Sequence, residues 1–540
     1  MGGLTAFRPI SGALPRGTYP GPMSQRRVYA AWSVFGVAAV VSAVLVWLRP
    51  PAQRLSDLHI YYGAAEAVND GRPLYDYVAE NGGPFTYPPF AVLLFRPLAL
   101  LPEGALQVAW LALTCAAVVA LAVAVGRGLS ASRLAVAALA CALLVSAPVQ
   151  SNLRFGQVSI FIVLLALVDA MGLVPQRYRG ILVGIAAAIK LTPLLFVVYF
   201  LVARRYRDAA RAAAAFAACA VLGLALLPGD SVRYWTGTML QTSRIGNLAS
   251  LGNQSVQGML MRAGLSPATL PLVWAALIAA ICAAALWRAA SLERTGRTAD
   301  RVRAAVLVGC ATVAASPVSW THHQVWTVLA AMLLVATEGA WHRVAGVILL
   351  VVMTLSLGVV LRGLSTYPGW QFLLENARSL GAVAVCAAGL GGAVATARRH
   401  RAWLRPVAVA AAALAVLALT PLPAGADPTF KAYTAADLTN PRYFYYDTAR
   451  RPAPGEPVAF EVRREKTKVR VNGVVDLGVA RLSYQSAPGG AAREIPLIEA
   501  SEGGVRTFSF RSATLTHGRL DALSPDGTVV ATFTALDELV

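Results

Sequence analysis

The sequence predicts a polytopic α-helical membrane protein of about 12–13 spans that ends in a small β-sandwich-like domain. Three observations carry this. Apolar residues make up 57% of the 540-residue chain and charged residues only 14%, where a soluble protein carries about a quarter. The apolar residues gather in uncharged runs of about 20, the length that crosses ~30 Å of hydrocarbon. Towards the C-terminus the pattern changes to short alternating segments separated by turn signals.

Each element follows in order. Residues 1–27 contain Arg8, Arg16, Arg26 and Arg27 and no acid, which places this basic N-terminus in the cytoplasm. The run 28–48 is the first span. It is too long for a cleaved signal, and Arg49-Pro50-Pro51 follows it rather than a small-residue cleavage site. The polar segment 49–86 is then the first outer loop. The run 88–101 contains Arg96 and Pro97 and reads as re-entrant rather than crossing. Runs 104–126 and 268–287 read as spans. The run 180–202 is interrupted by Lys190-Leu191-Thr192-Pro193 and reads as a broken helix, tolerated where it lines protein or a wet cavity. Asp169, at the end of an apolar run, reads as an ordinary interfacial acid.

The basic segments 203–211, 288–303 and 398–405 belong in the cytoplasm, which leaves 228–267, 316–323 and 362–376 outside. A last span at 406–422 carries the C-terminal part, residues 427–540, to the outer face. There 457–463, 467–472, 480–486, 505–511 and 528–535 read as strands. Asn472-Gly473, Pro488-Gly489-Gly490 and Pro525-Asp526-Gly527 read as turns. The aromatic cluster Tyr443-Phe444-Tyr445-Tyr446 fits a sugar platform or a buried sandwich edge equally.

The net charge of +20 excludes little until it is located. From Asp427 onward, basic and acidic residues are equal in number, so the whole excess lies with the apolar runs. Nucleic-acid binding, which clusters basic residues on a soluble surface, is therefore not expected. Lipid is the expected surroundings. All six cysteines fall in apolar runs with no CxxC pair, which argues against a disulfide framework or a zinc site.

Chemistry concentrates in a few polar places. Asp57, just beyond the first span in Ser56-Asp57-Leu58, can serve as a general base, or Ser56 and Asp57 can simply cap a helix. Lys190 lies near the middle of its apolar run, where an unpaired lysine costs at least about 2.5 kcal/mol, so it should face a cavity, an acid or an anionic ligand. Arg154 is a second candidate cation. His322 and His323 follow Trp320 at the outer end of a span, where polar groups tend to be functional and where Trp320 also suits an interfacial belt. Asn253 and Gln254 have the donor–acceptor character that sugar hydroxyls need. Tyr61 and Tyr62, beside Asp57, and Trp320 are further candidate sugar or acceptor contacts.

Taken in order, these motifs resemble a known family. Asp57-Leu58-x-x-Tyr61 is followed by Ala64-Ala65 and Gly71-Arg72-Pro73-Leu74-Tyr75-Asp76. Then come Tyr87-Pro88-Pro89, Gly156-Gln157, Lys190-Leu191-Thr192-Pro193, Asn253-Gln254-Ser255 and Ser319-Trp320-x-His322-His323. The ordered set, over about residues 28–400, resembles glycosyltransferase family 87, polyprenol-phosphate-mannose-dependent α-1,2-mannosyltransferases of actinobacterial glycolipid synthesis. The resemblance implies a GT-C-like membrane domain over 28–426, a polyprenyl-phosphate-sugar donor and a glycolipid or lipoglycan acceptor. It implies an active site on the extracytoplasmic face and Asp57 as the base of an inverting displacement. It places His322 and His323 near the donor phosphate or the acceptor. Lys190, Arg154, His322 and His323 are the cations and donors available to a leaving phosphate. No metal or other cofactor is expected, since a single phosphate leaves and no DxD motif stands in the outer loops. Two other readings stay open: an arabinofuranosyltransferase using a lipid-linked pentose, and a transporter or flippase of lipid-linked sugars. A transporter of this size often carries an internal repeat, and none is visible in the sequence.

Overall fold

The computed structural model describes residues 22–391, apart from 80–82, 242–244, 246–247, 267, 338 and 356–367. It also describes residues 458–534, apart from 465–468, 477–478, 486–490, 500–504 and 513–518. The expected span at 406–422, the turn at 488–490 and the aromatic cluster at 443–446 lie outside the described residues.

The chain enters through α1 (Pro22–Trp47) and turns into the shorter α2 (Ser56–Asn69). Pro88 and Pro89 start α3 (Pro89–Phe95), since proline at the first helical position forfeits only an N–H that has no partner there. Seven residues rise about 10 Å, far short of a bilayer, and a 3₁₀ turn at Leu98–Leu100 follows. The run therefore does not cross as a helix, as its arginine and proline suggest.

Then come α4 (Glu103–Gly128), α5 (Arg133–Val145) and α6 (Ala147–Phe155), the last two bent by 62° around Ser146 and Pro148. Next are α7 (Ser159–Ala170), α8 (Ile181–Ile189) and α9 (Leu194–Val202). The break between α8 and α9 falls at Lys190–Pro193 as expected, because Pro193 has no N–H to donate and disfavours helix at Thr192. Nine residues on each side rise about 14 Å, so neither half alone is long enough to cross.

The order continues with α10 (Tyr206–Leu226), α11 (Pro228–Thr236), α12 (Val256–Arg262), α13 (Leu270–Glu293), α14 (Thr298–Ala315) and α15 (Val325–Val335). It closes with α16 (Ala340–Thr354), α17 (Pro368–Glu375) and α18 (Ala377–Ala388). Helix α14 is apolar on every side and buried from Ala304 to Ala314, the signature of a helix at the centre of a bundle. It packs on α13, α15, α18, α7 and α4. Its C-terminal end delivers the polar segment that carries the histidines.

The outward faces of α1, α10, α13 and α16 expose Val37, Val40, Val221, Leu224, Leu272 and Ile348. Exposed apolar residues in such number on long helices suit a lipid environment. Among the described residues, four helices are long and apolar enough to cross a membrane: Gln25–Trp47, Glu103–Gly128, Tyr206–Leu226 and Leu270–Glu293. The bent α5–α6 pair makes a fifth. These account for part of the 12–13 spans expected; α7, α15 and α16 are apolar but shorter.

Asp169 departs from its expected place. It is fully buried, and its carboxylate accepts from the N–H groups of Gly180 (2.7 Å) and Val183 (3.0 Å). It caps α8 from a neighbouring helix, because those first amides have no partner within α8.

The C-terminal residues form two four-stranded antiparallel sheets. One has the order β1 (Val458–Arg464), β2 (Val469–Asp476), β6 (Val505–Ser512), β5 (Ile498–Glu499). The other runs β4 (Arg493–Ile495), β3 (Arg481–Gln485), β7 (Arg519–Leu523), β8 (Val529–Thr534). Val458, Val475 and Phe508 from the first share one apolar cluster with Leu482, Ile495 and Leu520 from the second. The turn at Pro525-Asp526-Gly527 is present, with Gly527 at φ +86°. Asn472-Gly473 is not a turn: it lies inside β2, Gly473 paired with Phe460 and Phe508. The flanking valines at 469, 471, 474 and 475 favour a pleated strand, and pairing on both sides outweighs the local turn signal.

Candidate active site

The site is assembled where the start of α2 meets the end of α6. Leu55 takes the N-cap position of α2 in a left-handed conformation, φ 47°. Its N–H is held by the Arg154 carbonyl at 3.0 Å. Neither Ser56 nor Asp57 is the cap, so the capping alternative for this acid is not what the fold uses. Gly156 ends α6 at φ +65°. A Cβ there would meet Leu58 Cβ at 2.6 Å and Leu55 Cβ at 3.1 Å. Only glycine permits both the turn and the close approach, and that approach brings Gln157 against Asp57.

Asp57 is 8% exposed, in the first turn of α2, where the helix dipole favours a negative charge. The Gln157 side-chain amide donates to Asp57 Oδ2. Gln157 Oε1 accepts from the Tyr87 hydroxyl (3.2 Å) and the Ser159 hydroxyl (3.5 Å). Tyr87 and Tyr61 hydroxyls are 3.1 Å apart. The Tyr75 hydroxyl donates to the Tyr87 carbonyl at 2.8 Å, fixing this strand of chain.

Lys190 Nζ lies 5.3 Å from the Tyr87 ring centre and 2.6 Å from His323 Nε2. The Trp320 N–H donates to His323 Nδ1 at 3.1 Å. At 2.6 Å the lysine nitrogen and Nε2 are hydrogen-bonded to each other, the direction following the tautomer of His323. Lys190, His323, Ser159, Thr192, Ser319 and Trp326 line one open cleft.

His322 stands edge-on to His323 with ring centres 4.4 Å apart. It is 3.5 Å from the Ser151 hydroxyl, and Asn152 holds its carbonyl at 2.9 Å. Arg154 stacks on Phe155 at 4.9 Å, and its buried Nε has no hydrogen-bond partner among the described residues. Phe155 in turn meets His322 edge-on at 6.1 Å.

The structure thus brings Asp57, Tyr61, Lys190, Arg154, His322, His323 and Trp320 into one neighbourhood. It places three others differently. The Tyr62 hydroxyl binds the Leu101 carbonyl at 3.1 Å, away from the Tyr61 network. Asn253 is fully buried; it donates to the carbonyls of Leu248 and Pro317 and accepts from the amides of Ser319 and Ser255. Gln254 donates to the carbonyls of Leu251 and Glu375 and accepts from Ser379. Every polar atom of both side chains is engaged in pinning the loop before α12 to the histidine segment and to α18. Tyr87 and Gln157 were visible in the sequence as Tyr-Pro-Pro and Gly-Gln, but no local signal there states that they face the acid.

No solved structure matches this chain. The model of "Glycosyltransferase family 87" matches residues 85–317. The chain is 35% identical over 341 residues to a polyprenol-phosphate-mannose-dependent alpha-(1-2)-phosphatidylinositol mannoside mannosyltransferase of Mycobacterium tuberculosis, covering 58% of this chain and 76% of the relative. It is equally similar, 35% over 344 residues, to the protein of that name from Mycolicibacterium smegmatis, with the same coverage. A polyprenol-phosphate-mannose-dependent alpha-(1-2)-phosphatidylinositol pentamannoside mannosyltransferase of Mycolicibacterium smegmatis is 35% identical over 320 residues, 57% of this chain and 76% of its own length. With identity sustained over most of each relative, this chain is a membrane glycosyltransferase belonging to glycosyltransferase family 87.

Proposed function

We propose that the enzyme transfers mannose from polyprenyl-phosphate-mannose to a hydroxyl of a phosphatidylinositol mannoside-like glycolipid, forming an α-1,2 linkage with inversion on the extracytoplasmic side of the membrane. The relatives' activities motivate the donor and acceptor classes. The observation that carries the reading is a buried carboxylate linked through Gln157 and Tyr87 to a hydrogen-bonded Lys190–His323 pair.

In the proposed reaction Asp57 takes the proton from the acceptor hydroxyl. That oxygen attacks the anomeric carbon from the face opposite the phosphate, and the bond to the phosphate oxygen breaks. Polyprenyl phosphate leaves with its electron pair. Lys190, its nitrogen held by His323 at 2.6 Å, suits a phosphate oxygen, and a preorganised cation of this kind stabilises the charge of a leaving group. The unpartnered Nε of Arg154 makes this arginine the reserve cation. Asn253 and Gln254 hold the loop rather than the sugar.

Residues 427–540 are proposed as a sandwich-like module on the same outer face, since the basic segment 398–405 precedes the apolar run 406–422. The donor assignment is tested with purified protein in lipid, supplied with polyprenyl-phosphate-mannose or a polyprenyl-phosphate pentose and a phosphatidylinositol mannoside acceptor. Transfer of mannose in α-linkage is the expected result. Transfer of the pentose alone, or movement of intact donor across the bilayer without transfer, would replace this reading.

A further inference from the structure

We infer that Gln157, oriented by Tyr87, is a positioning residue for the Asp57 carboxylate, and that Tyr87 couples this carboxylate to the Lys190 end of the site. The inference rests on Asp57 being the base.

An amide side chain has two ends of opposite character, and its orientation decides what it does to a neighbouring acid. Two hydroxyl groups, of Tyr87 and Ser159, converge on Gln157 Oε1. That end must therefore be the acceptor, and the NH₂ end faces Asp57 Oδ2. The Tyr87 proton is directed to Gln157, which leaves the Tyr87 oxygen to accept from Tyr61. Tyr61 is four residues after Asp57 on α2, on the same helix face. The chain of hydrogen bonds therefore closes on the element it began from. Holding Oδ2 fixes the direction of Oδ1, and so the line along which a substrate hydroxyl must approach. A misplacement of about 1 Å in such a geometry costs roughly 10²-fold in rate.

Tyr87 has a second task that its hydroxyl does not perform. The face of its ring receives Lys190 Nζ at 5.3 Å, within reach of a cation–π attraction. The two tasks are chemically separable, and the test uses this. Kinetics are measured on the full chain in lipid with polyprenyl-phosphate-mannose and a phosphatidylinositol mannoside. Gln157→Leu should lower kcat by about 10-fold or more with the donor KM within about twofold of wild type. Tyr87→Phe keeps the ring and loses the hydroxyl, so it should lower kcat and leave the donor KM in place. Tyr87→Leu loses both and should raise the donor KM as well. In the Asp57→Asn background, Gln157→Leu should have no further effect, since it acts through that carboxylate. Should Gln157→Leu fail to accumulate in the membrane, Tyr87→Phe carries the same test.

Wild-type turnover of Gln157→Leu overturns the inference. So does an additive loss in the double variant, or an equal rise in donor KM for Tyr87→Phe and Tyr87→Leu. The two levels fail separately. Asp57→Asn with normal turnover removes the base, whereas an inactive Asp57→Asn beside an active Gln157→Leu removes only the positioning role.

Discussion

Lys190 shows how much one residue's surroundings decide. In the sequence it is a cation near the middle of an apolar run, which should face a cavity, an acid or an anionic ligand. In the fold it ends α8 in an extended conformation, at φ −151° and ψ 125°. Its ammonium is directed inward to His323 and over Tyr87. Lys190→Ala should therefore weaken donor binding by about 10-fold or more, the scale of one charge-assisted contact of about 1.5–3 kcal/mol. Donor titration of the purified variant measures this. A variant that melts higher and binds donor normally would assign the lysine to the membrane surface instead. The cation, the acid and the histidine pair were all legible as chemistry in the sequence. Their partners were not, because Asp57 and Gln157 are a hundred residues apart and Lys190 and His323 further still. The protein partners of Asn253 and Gln254 were hidden for the same reason: a loop amide and a sugar-binding amide look alike until the carbonyls around them are placed.

At the scale of elements, breaks were easier to read than lengths. Proline and lysine at 190–193 announced the gap between α8 and α9, since proline's missing N–H acts locally. The dipeptide Asn472-Gly473 misled, because strand pairing on both sides is a non-local force that the turn signal does not contain. The α2–α6 junction depends on Gly156. Gly156→Ala introduces a Cβ into a left-handed position and against Leu58. It should destabilise the fold by about 1–3 kcal/mol and displace Gln157 from Asp57. Thermal unfolding together with turnover checks this; unchanged values for both would show that the junction does not depend on the glycine.

At the scale of the whole molecule, the placement of α14 explains why the polar segment around the histidines can be buried in a membrane protein. A helix that is apolar and buried from Ala304 to Ala314 carries it inward; Asn253 before α12 and Asn152 of α6 bind its carbonyls, and Arg378 of α18 binds the Thr321 hydroxyl. The proposed topology makes a direct forecast. Cysteines introduced at Arg72 and Thr528 should react with an impermeant reagent applied to intact cells, and one at Arg294 should react only after permeabilisation. External labelling of Arg294→Cys would invert the orientation and place Asp57 on the cytoplasmic side.

The central claim, that a buried Asp57 abstracts the acceptor proton in an inverting mannosyl transfer, meets its most direct test in one comparison. Wild-type enzyme and Asp57→Asn are purified and assayed for mannose transfer from polyprenyl-phosphate-mannose, with donor binding measured on the same samples. Asparagine keeps the shape and the contact with Gln157 but cannot take a proton. Turnover should fall by about 10² or more while donor affinity is retained, and the wild-type product should be α-linked. Near-normal turnover by Asp57→Asn, or a β-linked wild-type product, would contradict the account.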